Sequence, residues 1–356
     1  MKKRYILGAG IQGNCFHTAF NKENISLDGF LDNFSTKPHY NDLPVLKPEE
    51  LKTKDAEIYI SVGLYSEKIK SDLEAKGFTN VFSYTQSVLK IPTIIHELKH
   101  HSLWYSAELE KRVNLEKLSE FKSLLVDKKS KQLLDQIIRF RTDFKAEDYI
   151  IPDIETQYFA KDVPVFEQLN SLRFIDAGAY IGDTVQSLLK QNVPIEYIAS
   201  FEPDPFNLEK LHQTIKSEKI PDTKTRFFVY PGAVWSKHEI LHFQMGQKAS
   251  SHLETDHLDQ ETVTAVTGFS LDQCLKQAQP NFIKMDVEGA EISALEGAKC
   301  IIKEYSPVLA ISLYHKPSDL WEIPQKIHEL NDGYDMYLRV YGDMLLETVL
   351  YCIPKI

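Results

Sequence analysis

The chain has 356 residues, of which 43% are hydrophobic and 26% are charged, and this is enough apolar material for two packed domains. Its 41 basic and 51 acidic residues give a formal net charge of −10, which argues against nucleic acid and anionic membrane surfaces as partners. The four cysteines are scattered and fit neither a disulfide framework nor a zinc ribbon, so we expect a cytoplasmic protein. No segment approaches the ~18 apolar residues of a membrane span.

The chain begins with the pattern of a nucleotide-binding unit. Residues 4–7 form a predicted strand, a GxGxxG loop and a helix follow, and a second strand over 25–31 ends in an acid about 20 residues after the loop. Further strands are expected at 43–46, 57–62 and 81–84, with helices opened by Pro48 and Ser66. Residues 1–90 are therefore a small Rossmann-like domain. Its candidate nucleotide contacts are Gly8, Gly10, Gly13 and Asp32.

Four stretches of this domain resemble the small N-terminal domain of bacterial sugar acyltransferases: GAGIQG, LDGFLDN, LPVLKPEEL and IYISVG. In that family the domain holds a nucleotide-sugar or lies beside one. The resemblance implies a nucleotide or nucleotide-sugar as a ligand here. The alternative is a docking or dimerisation module with an empty loop, and a homo-oligomer is compatible with it.

Residues 91–165 are predicted to be a helical connector. Apolar residues recur at spacings of three and four over 115–125 and 133–138, and lysines and acids occupy the other faces. The irregular stretch 152–164 leads into the next domain and receives no function by itself.

A second strand–loop–helix–strand unit begins at 174–177, and its next strand, 197–201, ends in Glu202. That carboxylate lies roughly 20 residues after the glycine loop, the spacing of a ribose ligand. Asp176, near the end of the first strand, would repel pyrophosphate but suits a cationic ligand without phosphate. S-adenosylmethionine is such a ligand, with its ammonium, sulfonium and adenosine. A glycine loop that only makes a turn is the alternative.

The remaining elements extend this unit to residue 356. Strands are predicted at 226–230, 238–244, 249–253, 262–271, 282–285 and 308–313, with a helix over 292–302 and a hairpin of 334–341 and 344–352. Small residues around Ala233 leave room for an adenine ring. His238 and His242 would share one strand face, but no helical ligand motif accompanies them, and we predict no metal site.

Several functional residue types fall at predicted strand ends, namely Asp176, Glu202, Ala233, Asp286 and His315. In an open α/β sheet the ligand binds outside the carboxyl ends of the strands. These side chains are therefore expected to converge on one site.

The stretches FIDAGAYIGDT, SFEPDP, FIKMDVEGAE and YHKPSDLWEIP resemble the FkbM family of S-adenosylmethionine-dependent methyltransferases. The resemblance implies an α/β fold for 166–356: a class I methyltransferase, Rossmann-like, with a mostly parallel sheet and a C-terminal antiparallel hairpin. It also implies O-methylation of a hydroxyl on a sugar, glycan precursor or secondary metabolite, and hence a role in glycan biosynthesis. The predicted cofactor contacts are Asp176, Gly178, Tyr180, Gly182, Asp183, Thr184, Glu202, Pro203, Ala233 and Asp286.

Methyl transfer to a hydroxyl requires a base, and the candidates are Asp286, His315 and Glu288. The ordinary pKa of histidine, about 6.5, suits proton transfer at neutral pH, although His315 could instead cap a turn. Two other function classes stay open. One is an NAD- or nucleotide-sugar-dependent oxidoreductase that uses the N-terminal fingerprint, and the other is a non-catalytic nucleotide-binding module.

Overall fold

The computed structural model describes residues 2–63, 65–218, 225–244 and 263–355. The chain divides into two compact units, the first comprising Met1–Val113, Asp135–Asp153 and Gly342–Leu346. The second comprises Asn114–Leu134, Ile154–Tyr341 and Glu347–Ile356. The segment predicted as a connector, 91–165, thus supplies residues to both units. Among the described residues, no helix combines the length and the apolar character needed to cross a membrane.

Six strands form the sheet of the first unit: β1 (Arg4–Leu7), β2 (Gly29–Leu31), β3 (His39–Tyr40), β4 (Leu43–Leu46), β5 (Glu57–Ile60) and β6 (Asn80–Phe82). Their order is β3-β4-β2-β1-β5-β6, and all neighbours are parallel except β3 and β4. The sequences of the central strands are short apolar runs because both faces of these strands are covered. This sheet has the predicted Rossmann-like character.

The helices of the first unit are α1 (Ile11–Lys22), α2 (Ser66–Ala75), α3 (Tyr84–Lys90), α4 (Thr93–Leu98) and α5 (Leu109–Arg112). One buried cluster between helix and sheet includes Tyr5, Leu31, Ile58 and Val81. The helix expected to open at Pro48 is only a three-residue 3₁₀ turn, because Leu51 is already extended at φ −78° and ψ 107°.

Seven strands form the main sheet of the second unit: β7 (Leu172–Ala177), β8 (Ile195–Phe201), β9 (Arg226–Tyr230), β13 (Phe282–Met285), β14 (Val308–Ser312), β15 (Tyr334–Val340) and β16 (Thr348–Pro354). Their order is β15-β16-β14-β13-β7-β8-β9. The five strands from β14 to β9 are parallel, while β16 is antiparallel to both of its neighbours. The predicted parallel sheet with a closing hairpin is confirmed.

A smaller sheet of three strands accompanies it, in the order β10-β12-β11: β10 (Gly232–Val234), β11 (Glu239–Gln244) and β12 (Val263–Phe269). The predicted strands at 238–244 and 262–271 correspond to β11 and β12. The predicted strand 249–253 lies outside the described residues.

Helices cover the faces of the main sheet: α6 (Leu115–Leu124), α8 (Asp183–Leu189), α9 (Pro205–Ser217), α10 (Leu271–Leu275), α11 (Glu291–Glu296), α12 (Lys299–Tyr305) and α13 (Asp319–Leu330). A further helix, α7 (Lys128–Asp143), begins in the second unit and ends in the first. In the core beneath them, the ring of Phe282 packs edge to face against the rings of Phe159 and Phe174.

Two sequence-based boundaries were wrong. The helix expected over 292–302 is broken at Gly297, where a Cβ would lie 2.0 Å from the carbonyl oxygen of Trp235. The second hairpin strand begins at Thr348 rather than Met344, since Met344, at φ 55°, lies in a 3₁₀ turn over Asp343–Leu345. The first break thus depends on a glycine, and the second on a positive φ at Met344.

Candidate active site

The predicted site residues lie at one edge of the main sheet. Asp176 is the penultimate residue of β7, Glu202 follows β8, Asp286 follows β13, and His315 comes three residues after β14. Strands β8 and β13 flank β7 on either side, so chain order reverses there. A ligand crevice is expected outside the strand ends at such a reversal. Ala233 lies close to that edge in sequence but belongs to β10 of the small sheet, where it is buried.

The glycine loop after β7 adopts a backbone that excludes most other residues. Gly178, Tyr180 and Gly182 have φ values of +83°, +48° and +89°. A Cβ on Gly178 would lie 1.8 Å from the backbone oxygen of Asp286, so the loop touches the turn that follows β13. Helix α8 then begins at Asp183, which is exposed, while Thr184 is buried.

Asp176 is fully buried and is paired with a lysine from the neighbouring strand. Lys284 Nζ lies 3.1 Å from Asp176 Oδ1 and donates to the Gly178 carbonyl at 2.5 Å. Burial raises the pKa of Asp176 to about 6, although Lys284 opposes this shift. Neither oxygen of Asp176 accepts a well-aligned hydrogen bond. The carboxylate therefore supports the loop from beneath, and its direct contact with a cofactor stays a prediction.

Glu202 is 6% exposed and ties the glycine loop to the turn after β8. Its Oε2 accepts from the Tyr180 amide at 2.8 Å, and its Oε1 accepts from the Asp204 amide at 2.9 Å and from Asn207 Nδ2 at 3.3 Å. Burial raises the pKa of Glu202 to about 7, because these three donors only partly offset the loss of solvent. A carboxylate oxygen has two acceptor positions, so Oε2 can still receive one hydroxyl. Pro203, beside it, is half-buried.

Asp286 is held by two tyrosines and one histidine. Tyr158 Oη donates to Oδ2 at 2.7 Å, Tyr314 Oη donates to Oδ1 at 3.2 Å, and His315 Nε2 lies 3.3 Å from Oδ1. Burial would raise the pKa of Asp286, but His315, Lys284 and Tyr158 together lower it below the ordinary range. Asp286 is thus an ionised carboxylate with a fixed orientation.

His315 lies between carboxylates, and its side chain is only 4% exposed. Its Nδ1 is 2.9 Å from Glu291 Oε1, and its Nε2 is 3.6 Å from Glu288 Oε2 as well as close to Asp286. Burial would lower the pKa of His315, but the charges of Glu291 and Asp286 outweigh burial and raise the pKa well above its ordinary value. The expectation that rested on a pKa near 6.5 therefore does not describe this environment.

Glu288 is the most open of the three predicted catalytic side chains, at 30% exposed against 19% for Asp286 and 4% for His315. Its backbone is left-handed, with φ +53°, which is unusual away from glycine. Burial raises the pKa of Glu288 to about 8, and the charges of Asp286 and Glu291 add to the shift while His315 opposes it. The edge is therefore crowded with acids.

Comparison with known proteins identifies this region. Residues 176–344 match the family model described as the methyltransferase FkbM domain. We refer to these matched residues, 176–344, as the FkbM domain. The resemblance found in the sequence and the class I methyltransferase fold are both confirmed. The family is one of methyltransferases, which favours this reading over the oxidoreductase alternative.

One solved structure has the same fold. The protein is similar to the methyltransferase FkbM from Methylobacillus flagellatus KT, with 22% identity and a TM-score of 0.61. The match covers 99% of the present chain and 90% of the Methylobacillus chain. It is also similar to Aeropyrum pernix fibrillarin with bound S-adenosyl-L-methionine, at 10% identity and a TM-score of 0.30 over 51% and 66% of the two chains. A third similar structure is Trm1 from Pyrococcus horikoshii in complex with S-adenosyl-L-methionine, at 9% identity and a TM-score of 0.28. The match covers 58% of this chain and 59% of that of Trm1. No curated protein matches.

Three residues of the candidate site were missed in the sequence. Tyr158 lies 128 residues before its partner Asp286, and no local pattern marks it. Glu347, which accepts a hydrogen bond from Gln157, has its pKa raised to about 7 by burial and by the charge of Asp286. Tyr314 directly precedes His315 and could have been found, because its strand is buried and an aromatic hydroxyl at a strand end needs a partner.

The N-terminal glycine loop belongs to the first unit and has its own geometry. A Cβ on Gly13 would lie 1.9 Å from the Gly8 carbonyl oxygen, so α1 packs directly on the loop. A Cβ on Gly10 would meet nothing within 4 Å. Asp32 accepts from the Ala9 amide at 2.9 Å and therefore supports the loop itself. Nucleotide binding here, like the resemblance to acyltransferases, stays a prediction.

Proposed function

We propose that the FkbM domain transfers a methyl group from S-adenosylmethionine to a hydroxyl of a sugar, a glycan precursor or a secondary metabolite. The observation that carries this proposal is the backbone contact between Gly178 and Asp286. It joins a loop suited to the cofactor with an acidic turn suited to the acceptor. A cytosolic site and a place in glycan assembly are expectations that accompany the proposal.

The residues present fit the cofactor. Two residues of the loop at 178–182 are glycines with positive φ, so they present no side chain at those two positions. Glu202 Oε2 retains an acceptor position for a ribose hydroxyl, and Ala233, in the small sheet, is the predicted neighbour of the adenine ring. Ionised Asp286 provides negative charge beside the loop. Bound S-adenosylmethionine would supply an activated methyl group on a sulfonium.

The protein's own contribution is to orient the acceptor and to take its proton. A neutral hydroxyl is a poor nucleophile, so a proton acceptor is required near it. Asp286 is fixed by Tyr158 and Tyr314, and Glu288 is the side chain with the greatest exposure. His315 is buried beneath them. The geometry therefore favours the two carboxylates as the groups that meet an acceptor, with His315 positioning Asp286.

Equilibrium binding on the purified full chain tests the first part of the proposal. Calorimetric titration with S-adenosylmethionine should give saturable binding, and a Glu202→Gln variant should bind at least about tenfold more weakly because charge-assisted bonds to the ribose are lost. Glu209→Gln, on the exposed face of α9, is the matched control and should bind as the unaltered chain does. Binding of NAD but not of S-adenosylmethionine would favour the oxidoreductase alternative.

The acceptor is then sought with labelled cofactor. Monosaccharides, nucleotide-sugars and small polyhydroxylated metabolites are incubated with the chain, and transfer of label is measured. Label on an oxygen of one class identifies the acceptor class, whereas transfer only to nitrogen would contradict O-methylation.

A further inference from the structure

Glu291, the first residue of α11, contacts two separate parts of the candidate site with one oxygen atom. Its side chain is only 1% exposed. The Oε1 atom accepts hydrogen bonds from the Val287 amide at 3.0 Å and from the Gly289 amide at 3.4 Å. The same atom lies 2.9 Å from His315 Nδ1. Glu291 therefore joins the turn after β13 to the segment after β14.

We propose that Glu291 is a positioning residue, which holds His315 as a cation against Asp286 and fixes the turn that carries Glu288. It acts through these neighbours, because its own side chain is buried. The proposal assigns one carboxylate two tasks. Its charge keeps the imidazole protonated, and its hydrogen bonds keep the turn in place.

The two ring nitrogens of His315 face carboxylates on opposite sides. Glu291 Oε1 lies 2.9 Å from Nδ1, while Asp286 Oδ1 lies 3.3 Å and Glu288 Oε2 lies 3.6 Å from Nε2. A neutral imidazole carries a hydrogen on only one nitrogen, so a carboxylate would face a lone pair at the other nitrogen. An imidazolium attracts the carboxylates on both sides, and these contacts are ionic, since the oxygens lie off the N–H directions. The positions of the carboxylates thus favour the charged ring.

The charges around His315 act in the same direction. Burial lowers the pKa of His315, but the charge of Glu291, followed by that of Asp286, outweighs burial and raises the pKa well above its ordinary value. The other charged groups that interact with this ring or with the carboxylates near it are Glu288, Asp319, Glu347, Lys284 and Lys316. Loss of the Glu291 charge should therefore lower the pKa of His315 more than loss of any other single charge.

The turn after β13 has a backbone that needs support. Glu288 and Gly289 are both left-handed, at φ +53° and +89°, and this conformation is unusual for a residue with a side chain. Glu291 accepts from the amides of residues 287 and 289, immediately before and after Glu288. Lys316 Nζ donates to the Gly289 carbonyl from the other side. A strained conformation persists only where surrounding contacts of this kind hold it, so the placement of Glu288 depends on Glu291.

For the proposed function, a charged His315 limits which group can take a proton. An imidazolium has no lone pair for a further proton, so the proton of an acceptor hydroxyl passes to a carboxylate of this group and not to His315. Asp286, beside the imidazolium, stays ionised. This consequence rests on the proposed function, whereas the charge of His315 and the role of Glu291 do not.

The experiment is nuclear magnetic resonance of the full chain, labelled with ¹⁵N in its histidines and titrated between about pH 5 and about pH 9. The His315 signals are assigned by their proximity to the ring of Tyr314, whose centroid lies 4.2 Å from that of His315. Both ring nitrogens of His315 should be protonated at neutral pH, and the proton on Nδ1, which faces buried Glu291, should exchange slowly with water. A single protonated nitrogen in the unaltered chain would overturn the proposal.

Glu291→Gln separates the charge from the hydrogen bonds. The amide oxygen of glutamine still accepts from the backbone amides of residues 287 and 289, so the turn should persist, but the negative charge is lost. The proton affinity of His315 should fall by at least about tenfold, and Glu291→Asp, which restores the charge, should recover part of this loss. Glu296→Gln, at the other end of α11, is the matched control and should leave the titration of His315 unchanged.

The outcomes are distinguishable. An unchanged His315 titration in folded Glu291→Gln would show that Glu291 only caps the turn, and would overturn the proposal. If that variant does not fold, the Nδ1 signal of the unaltered chain decides, because an unprotonated Nδ1 excludes an ionic contact with Glu291. The measurement needs neither cofactor nor acceptor. Failure of the same sample to bind S-adenosylmethionine would therefore count against the proposed function alone.

Discussion

A Cβ atom on Gly178 would lie 1.8 Å from the backbone oxygen of Asp286, which leaves no room for any side chain between the loop after β7 and the turn after β13. The Asp286 amide also donates to the Ala177 carbonyl at 3.0 Å. The two strand ends are thus locked together by backbone alone. The position of Asp286 relative to the loop therefore depends on the absence of a side chain at residue 178.

Gly178→Ala should destabilise the protein and abolish cofactor binding. Alanine at φ +83° costs about 1–2 kcal/mol from backbone strain, and relief of the clash must add to this cost. Gly77→Ala is the matched control, since Gly77 has φ +88° but open space around its Cβ. Urea denaturation and calorimetry of both variants check the difference. Equal loss of stability in the two variants would show that the contact with Asp286 is unimportant.

The affinity for S-adenosylmethionine should depend on pH through Glu202. Burial raises the pKa of this carboxyl to about 7, so the charged form that accepts ribose hydroxyls predominates only above that value. Affinity should therefore fall as the pH decreases below 7, by at most about tenfold per pH unit. Titrations at pH 6 and pH 8 measure this change. Glu202→Gln should bind weakly at both values, and a pH effect of equal size in that variant would assign the titration to another group.

The strand ends of the FkbM domain were predictable because buried parallel strands are short apolar runs, and the residue after each run falls at the sheet edge. Asp286 and Glu202 were found in this way. The groups that determine the chemistry of these two carboxylates were not found. Tyr158, for example, donates a hydrogen bond to Asp286 but lies 128 residues before it in the sequence. Sequence spacing carries no information about such a contact, and His315 shows the consequence, because its pKa depends on carboxylates from a different turn.

The C-terminal hairpin shows a second limit of prediction from sequence. Gly342 and Asp343 read as a two-residue turn, but Asp343 accepts hydrogen bonds from Tyr149 at 2.6 Å and Thr85 at 2.7 Å. These contacts place residues 342–346 in the first unit, so the connection is longer than a tight turn. A chain that begins near residue 90 would therefore lose part of a folded unit, and point substitutions are the better tests of separate roles.

Lys284→Met should be strongly destabilising. Lys284 is buried against Asp176, and removal of one member of a buried ion pair typically costs about 3–5 kcal/mol because the other charge stays uncompensated. The double change Lys284→Met with Asp176→Asn should recover part of this loss, and urea denaturation of all three variants gives the coupling energy. Additive effects of the two single changes would contradict a direct pair. Lys326→Met, in a more exposed pair with Glu296, is the control and should cost little.

The first unit offers a test of its predicted nucleotide ligand. Gly10, at the start of α1, has φ −125° and ψ −163°, a conformation open to any residue, and its Cβ position is free. A larger residue is therefore compatible with the fold but would occupy the space in front of the helix. Gly13 differs, because a Cβ there would collide with the Gly8 carbonyl oxygen at 1.9 Å.

Gly10→Glu should consequently abolish binding of a nucleotide-sugar while leaving thermal stability and S-adenosylmethionine affinity unchanged. The added carboxylate repels phosphate at the helix N-terminus, where the backbone amides and the helix dipole would otherwise attract it. Calorimetric titrations with UDP-glucose and with NAD measure the effect, and Gly10→Ser, small and neutral, should keep most of the affinity. If the unaltered chain binds neither compound, the loop is a docking element without a ligand, and the proposed nucleotide role of Gly8, Gly10, Gly13 and Asp32 falls.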